Sequence, residues 1–259
     1  MLRISLLWLA FLVTSSASAQ AEDTPPVTTL IGAGVWSRPA YDGAETNTLA
    51  LIPVLRYYGQ PWFLRTTYGM LEGGIRTGSF DGLTLGVQLA YEGGRNTSES
   101  AFLAAHNMAT LNPSLSWGIH AELEKYLGPM PLIALLRYRQ DMENNRGEQT
   151  DFRLTAGIFS GAGFNAGIFA QTTWVNQKSA NYYYGISAQQ SASNALVAFD
   201  AKNGELFNAY GLLWSYDINP QWILLGSFEL RLVRGAVIDS PLVQQSSNRY
   251  ANIGVAYQF

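Results

Sequence analysis

Acid–base chemistry needs a base, an orienting carboxylate and a partner within hydrogen-bond reach, and one stretch of this chain comes near to supplying them. His120, Glu122 and Glu124 occupy every second position of Trp117–Glu124, so an extended backbone sets all three on one face. Histidine titrates near neutral pH and is the usual general base. The nucleophile is what fails. Ser116 shares the face but lies four residues from His120, roughly 13 Å along a strand, too far for an activated hydroxyl. The other histidine, His106, lies in the polar segment Ala101–Asn112 and reads as a solvated loop residue. No G-x-S-x-G, H-E-x-x-H, P-loop or calcium-loop pattern occurs. With Cys 0, thiolate nucleophiles, thiolate zinc sites and disulfides are excluded. The expectation is a protein that is not an enzyme and uses no cofactor or metal, and the His120 cluster reads as a set of ion-pairing side chains.

The strands that would carry these residues show a two-residue period. In Trp117–Glu124 the odd positions are Trp, Ile, Ala and Leu and the even ones Gly, His, Glu and Glu. Phe152, Leu154, Ala156 and Ile158 oppose Asp151, Arg153 and Thr155. Ala251, Ile253, Val255, Tyr257 and Phe259 oppose Asn252, Gly254, Ala256 and Gln258. One face is oily and the other wet. A soluble sandwich would also alternate, but three features point elsewhere. The periodic segments are well over the usual 5–6 residues of a soluble strand. Aromatic residues recur near their ends, at Trp36, Tyr57, Tyr58, Trp62, Tyr91, Tyr126, Trp174 and Trp222, as in interfacial girdles. The last residue is Phe259, with apolar residues at every second position before it, a pattern similar to the assembly signal of bacterial outer-membrane barrels.

Composition agrees. The chain has 259 residues, 14% charged and 13% aromatic, with 25 Gly and a net charge of -3. A mean hydropathy of +0.01 leaves little room for several membrane helices, and a pI near 5.4 argues against a nucleic-acid partner. Met1-Leu2-Arg3, the apolar run Ile4–Val13 and Ala17-Ser18-Ala19 match a secretory signal peptide; the run is about half of the roughly 20 residues a spanning helix needs. Residues 1–19 are therefore expected to be a signal peptide and 20–259 one outer-membrane barrel domain, with the segment 21–29 a short tail before the first strand.

Short connections at Gly59-Gln60-Pro61, Phe80-Asp81-Gly82, Gly128-Pro129-Met130, Gly161-Ala162-Gly163 and Asp217-Ile218-Asn219-Pro220 alternate with long polar ones around 38–47, 95–112, 141–149, 178–205 and 235–247. Bacterial barrels keep short turns in the periplasm, long loops outside and an even strand number. An extra outer turn near Glu72-Gly73-Gly74 completes the alternation. The fold expected is all-β, a transmembrane antiparallel up-and-down barrel of about 12 strands: 29–38, 47–58, 61–71, 74–80, 82–94, 112–127, 131–141, 149–160, 163–177, 205–217, 221–234 and 247–259. Ten strands would require one of the shorter segments to be loop. Ser191–Val197 reads as a short helix start in a loop that could fold inward.

With Met130 and Pro131 as a hairpin tip, Glu124 pairs with Arg137, Glu122 with Arg139 and His120 with Asp141, a charge ladder inside the barrel. The wet face elsewhere carries Arg56, Arg65, Gln88, Glu92, Asp151, Arg153, Gln171, Glu229 and Arg231. Such an interior either fills the bore or lines a narrow aqueous channel, and periodicity does not choose between them.

Several segments, in order along the chain, are similar to those of one family. Gly32–Gly43 (GAGVWSRPAYDG) resembles the first strand and P-x-Y-x-G loop of the MipA/OmpV family, and Pro53–Tyr57 its second strand. Tyr183–Ser187, Ser191-Ala192 and Ala198–Ala201 resemble its central signature; Asp239–Val243 and Asn252–Phe259 complete the match. The resemblance implies a Gram-negative outer-membrane barrel with lipid around it and no catalytic motif. It implies a scaffold that joins a membrane-bound lytic transglycosylase to a bifunctional penicillin-binding protein during peptidoglycan synthesis. Other members of the family are osmoregulated outer-membrane proteins given porin or adhesion roles, so a small porin or solute channel is the alternative.

Overall fold

The structure is a computed structural model that describes residues 29–259 apart from 68, 144 and 145. The expected signal peptide and most of the tail lie outside the described residues. Twelve antiparallel strands close into one barrel: β1 (Leu30–Pro39), β2 (Asn47–Tyr58), β3 (Trp62–Thr67), β4 (Met70–Arg76), β5 (Leu83–Glu92), β6 (Ser114–Leu127), β7 (Met130–Asp141), β8 (Glu148–Gly161), β9 (Phe164–Val175), β10 (Gly204–Asp217), β11 (Trp222–Val233) and β12 (Ser247–Gln258). Each strand pairs with its chain neighbours, and β1 closes on β12 with Leu30 opposite Gln258 and Ser37 opposite Ala251. Closure is what membrane insertion demands: hydrocarbon offers no hydrogen bonds, so a ladder without free edges satisfies the backbone. Among the described residues no helix is long and apolar enough to cross a membrane.

The oily positions face outward. Leu51 is 85% exposed, and Leu85, Val87, Leu89, Ile119, Leu136, Ile168 and Ile253 are exposed with it. Those side chains would be a large liability in water, and an outward apolar band of this kind is the pattern of transmembrane barrels. Trp62, Trp222, Tyr91 and Trp174 join the outer face near strand ends. Two aromatics expected in the girdles turn inward instead: Trp36 stacks on Tyr250 with ring centroids 6.1 Å apart, and Tyr58 lies under the Arg76 guanidinium at 4.6 Å. Both sit one residue out of phase with the outward set.

Two turn assignments differ from the sequence reading. Thr67 lies opposite Met70, so the outer turn falls between them and Glu72-Gly73-Gly74 runs inside β4. A glycine pair resembles a turn, but Gly74 is needed within the sheet: a Cβ there would come within 2.0 Å of the Val87 carbonyl oxygen. At the other hairpin Leu127 pairs with Met130, which makes Gly128-Pro129 the two-residue tip. Gly128 has φ +62°, as the first central residue of a II′ turn requires.

The long connections pack over the outer mouth. They carry α1 (Ala101–Ala105), α2 (Gln177–Tyr184) and α3 (Ala188–Asn194). The expected helix at Ser191–Val197 is thus displaced: α3 begins at Ala188 behind a Ser187/Gln190 capping box and stops before Ala195 at φ +58°. Ala180 and Tyr184 of α2 are buried with Phe207, Val233 and Val237; Leu103, Met108, Ile186 and Leu242 form a second loop core.

Candidate functional site

The wet face of the strands encloses a lumen whose middle is filled by ion pairs. Glu72 on β4 is fully buried. Its carboxylate accepts from Arg65 Nε, from Arg137 Nη1 at 2.9 Å, from Gln88 Nε2 at 2.8 Å and from Thr67 Oγ1 at 3.2 Å. Arg137 continues to Asp151, with Nη2 at 2.8 Å and Nε at 3.0 Å. Asp151 also accepts from Thr173 Oγ1 at 2.8 Å and faces Arg139 at 3.2 Å, which in turn reaches Glu92 at 2.7 Å. The sequence Arg65–Glu72–Arg137–Asp151–Arg139–Glu92 alternates in sign, so each charge taken out of water meets an opposite one. Arg137 belongs to β7 and Glu72 to β4, so this contact is a chord that skips β5 and β6.

Chambers lie on either side of this septum. The outer one, about 640 Å³, reaches from Arg137 and Asp151 up to Trp36, Tyr41 and Tyr184. Apart from Arg95, its charges are also paired: Arg231 contacts Glu229 at 2.7 Å and Asp42 at 2.9 Å, Tyr250 OH donates to Asp42, and Arg38 meets Glu99 at 2.9 Å. Arg95 holds the α2 end by donating to the Tyr183 carbonyl at 2.6 Å. In these outer loops burial lifts the Tyr41 phenol to about 12 despite the opposing pull of Arg95, and burial raises Tyr184 well above its ordinary value. Both are neutral hydrogen-bonding groups at physiological pH. The inner chamber, about 890 Å³, opens at the short-turn end beside Pro129 and Phe159. Thr67 lines both chambers.

The three ladder pairs expected from the sequence do not form, because the hairpin tip lies earlier than Met130-Pro131. His120 stands opposite Arg137, Ser116 opposite Asp141, Gly118 opposite Arg139, Glu122 opposite Leu135 and Glu124 opposite Ile133. Arg137 and Arg139 enter the septum. Glu122 reaches Arg65 at 3.4 Å, while Glu124 is exposed at the rim and accepts from Tyr126 OH at 3.0 Å. Asp141 accepts from Ser114 Oγ at 2.5 Å. His120 is buried edge-on against Phe63 with centroids 5.4 Å apart. Ser116 donates to Glu92 at 2.6 Å rather than approaching His120. The residue that sequence reasoning misses is Glu72, which the sequence reading places in a turn; a hairpin that turns between Thr67 and Met70 sets it directly opposite Arg65. Among the described residues no group of three or more His, Asp or Glu is placed to hold a metal ion.

The family model described as MltA-interacting protein MipA matches residues 31–259. The chain belongs to the MipA family. Among curated relatives, the MltA-interacting proteins of Escherichia coli (strain K12) and Shigella flexneri are each 28% identical over 87 residues, 33% of this chain. The match spans 34% of each relative's own length. Among solved structures, an outer membrane channel from Pseudomonas putida F1 aligns with a TM-score of 0.54 and 11% identity, covering 94% of this chain and 100% of that one. At that identity the likeness is one of fold. MipA membership and a closed twelve-strand barrel place the chain in the outer membrane.

Proposed function

We propose that this MipA-family barrel is a non-enzymatic scaffold whose periplasmic rim holds cell-wall enzymes, a lytic transglycosylase and with it a penicillin-binding protein. The observation that carries the reading is the septum. Six buried or half-buried charges pair across the bore, which supports a rigid body that presents a surface over an open conduit. The relatives' description as MltA-interacting supports an enzyme of that class as partner. The short connections, including Asp81-Gly82, Gly128-Pro129 and 218–221, form the surface that such a partner would meet.

The test is capture of purified wall enzymes by the detergent-solubilised barrel, with the periplasmic turns altered one at a time. Binding that weakens with particular turns supports the scaffold; no binding, or binding that survives alteration of every turn, defeats it. A second reading, a small solute channel, draws on the two chambers that meet at Thr67. Planar-bilayer recording separates the two: a scaffold is electrically silent, whereas steady single-channel steps favour the channel.

A further inference from the structure

One arginine in the wall of the outer chamber lacks a counter-charge. Arg38, Arg137, Arg139 and Arg231 line this chamber and each contacts an acid. Arg95 lines it too and contacts no acid among the described residues, although it is only 5% exposed. A charge so far removed from water ordinarily has an opposite one beside it. Its Nη1 donates to the Tyr183 carbonyl at 2.6 Å, and its Nε is buried without an acceptor. The edge of the guanidinium that takes a carboxylate side-on, Nε with Nη2, is therefore unused. Burial pulls Arg95 below the ordinary arginine value, against the opposing pull of the Tyr41 and Tyr184 phenols. Those phenols are held neutral at physiological pH and supply no counter-charge. The acids of the lining, Asp42, Glu92, Glu99, Asp151 and Glu229, are all in contact with the other four arginines. Around Arg95 stand the Tyr41 ring, with its centroid 5.7 Å from the guanidinium, and Leu111 across an isolated bridge.

From this juxtaposition we propose that the outer chamber binds a monocarboxylate with a ring or hydrocarbon body, its carboxylate on Arg95 and its body against Tyr41. Guanidinium forks match carboxylates in planar, two-bond geometry. The chamber, about 640 Å³, has the size of a small-molecule site. Valence follows from the lining. One cation is unanswered, so one carboxylate answers it, and each further negative charge would be brought up to five acids that already have partners. The proposal goes beyond the scaffold reading, which concerns the periplasmic rim at the opposite end of the barrel.

Calorimetric titration of the full chain in a non-ionic detergent tests it. The probe is 3-phenylpropionate; 3-phenylpropanamide carries the same body without the charge, and citrate carries several carboxylates. Phenylpropionate binds saturably to the parent protein, and the amide and citrate each bind at least about tenfold more weakly, the scale of a lost charge-assisted hydrogen bond. Arg95→Gln weakens phenylpropionate by at least about tenfold on the same ground. Ser240→Ala is the control for the position of α2, because Ser240 Oγ donates to the Tyr184 carbonyl at 2.7 Å and its loss loosens the same helix end without removing the cation; affinity stays as in the parent. Arg56→Gln, in the inner chamber, leaves it unchanged as well. Folding of each variant is checked by the mobility difference between heated and unheated samples; should Arg95→Gln fail to fold, Arg95→Lys keeps the charge, loses the fork and gives a smaller weakening. Absence of saturable phenylpropionate binding, an amide or citrate that binds as tightly, equal affinity in a folded Arg95→Gln or Arg95→Lys, or an equal loss in Ser240→Ala or Arg56→Gln overturns the proposal.

Discussion

Replacing Glu72 by Gln removes one negative charge from the centre of the septum and almost nothing from its shape. Glu72 is the acid that both Arg65 and Arg137 share, so the variant leaves two buried cations short of a counter-charge. Breaking a buried ion pair from one side costs about 3–5 kcal/mol, mostly because the surviving charge stays desolvated. Here each cation keeps a second acid: Arg137 retains Asp151 at 2.8 Å and Arg65 retains Glu122 at 3.4 Å. The cost should therefore fall near the lower bound, about 3 kcal/mol. Read through a urea slope of about 1–3 kcal/mol/M, the unfolding midpoint drops by about 1–3 M.

The assay is equilibrium urea unfolding of the barrel in lipid vesicles, followed by tryptophan fluorescence. Glu99→Gln is the comparison, because Glu99 meets Arg38 in the outer loops with both side chains partly exposed; a solvated pair of that kind contributes up to about 1 kcal/mol. The double variant E72M/R137M removes the stranded charge and recovers part of the loss. If Glu72→Gln unfolds with Glu99→Gln, or if the double variant is as unstable as the sum of its singles, the septum is not an electrostatic keystone.

Three further outcomes follow from particular contacts. Gly74→Ala drives a Cβ to within 2.0 Å of the Val87 carbonyl and should cost about 1–3 kcal/mol by overpacking, read in the same unfolding assay. Arg95→Gln loses the hydrogen bond to Tyr183 and the stacking over Tyr41 at 5.7 Å; amide exchange should rise across Gln177–Tyr184 while the strand amides stay protected. The Tyr41 phenol is held near 12, so the folded loop keeps its proton when the unfolded chain, near 10, has lost it. That contribution to stability is complete below pH 10 and is lost as pH rises from 10 to 12. Difference absorbance of the parent against Tyr41→Phe should show the missing phenolate forming near pH 12.

How much was legible in the sequence depends on the range of the interaction. Alternation is local and decided which residues face inward, so Arg56, Arg65, Glu92, Asp151, Glu229 and Arg231 were assigned to the lumen that they line. The number of strands and the connections other than the β3–β4 turn were equally visible, because hydrocarbon enforces both the period and the closure. Register was not. Moving a hairpin tip from Met130-Pro131 to Gly128-Pro129 shifts every partner by an even number of residues, which leaves the faces intact and replaces all the neighbours. The cue was present in Gly-Pro, since a two-residue II′ turn asks for Gly first.

The septum lay further out of reach, and for a geometric reason. Pairing rules speak of adjacent strands, whereas Arg137 and Glu72 are three strands apart and meet because the sheet curls until its inner faces approach one another. Barrel radius depends on strand number and stagger, both properties of the closed object. Twelve strands leave a bore narrow enough for an arginine and a glutamate to meet across it, so a charged wet face becomes a barrier at mid-height and two chambers at its ends. The same closure leaves Arg56 and Arg76 below the barrier without acids of their own among the described residues. The side chains that distinguish this barrel from an unobstructed pore are thus chosen by curvature acting on an alternation that is by itself indifferent to them.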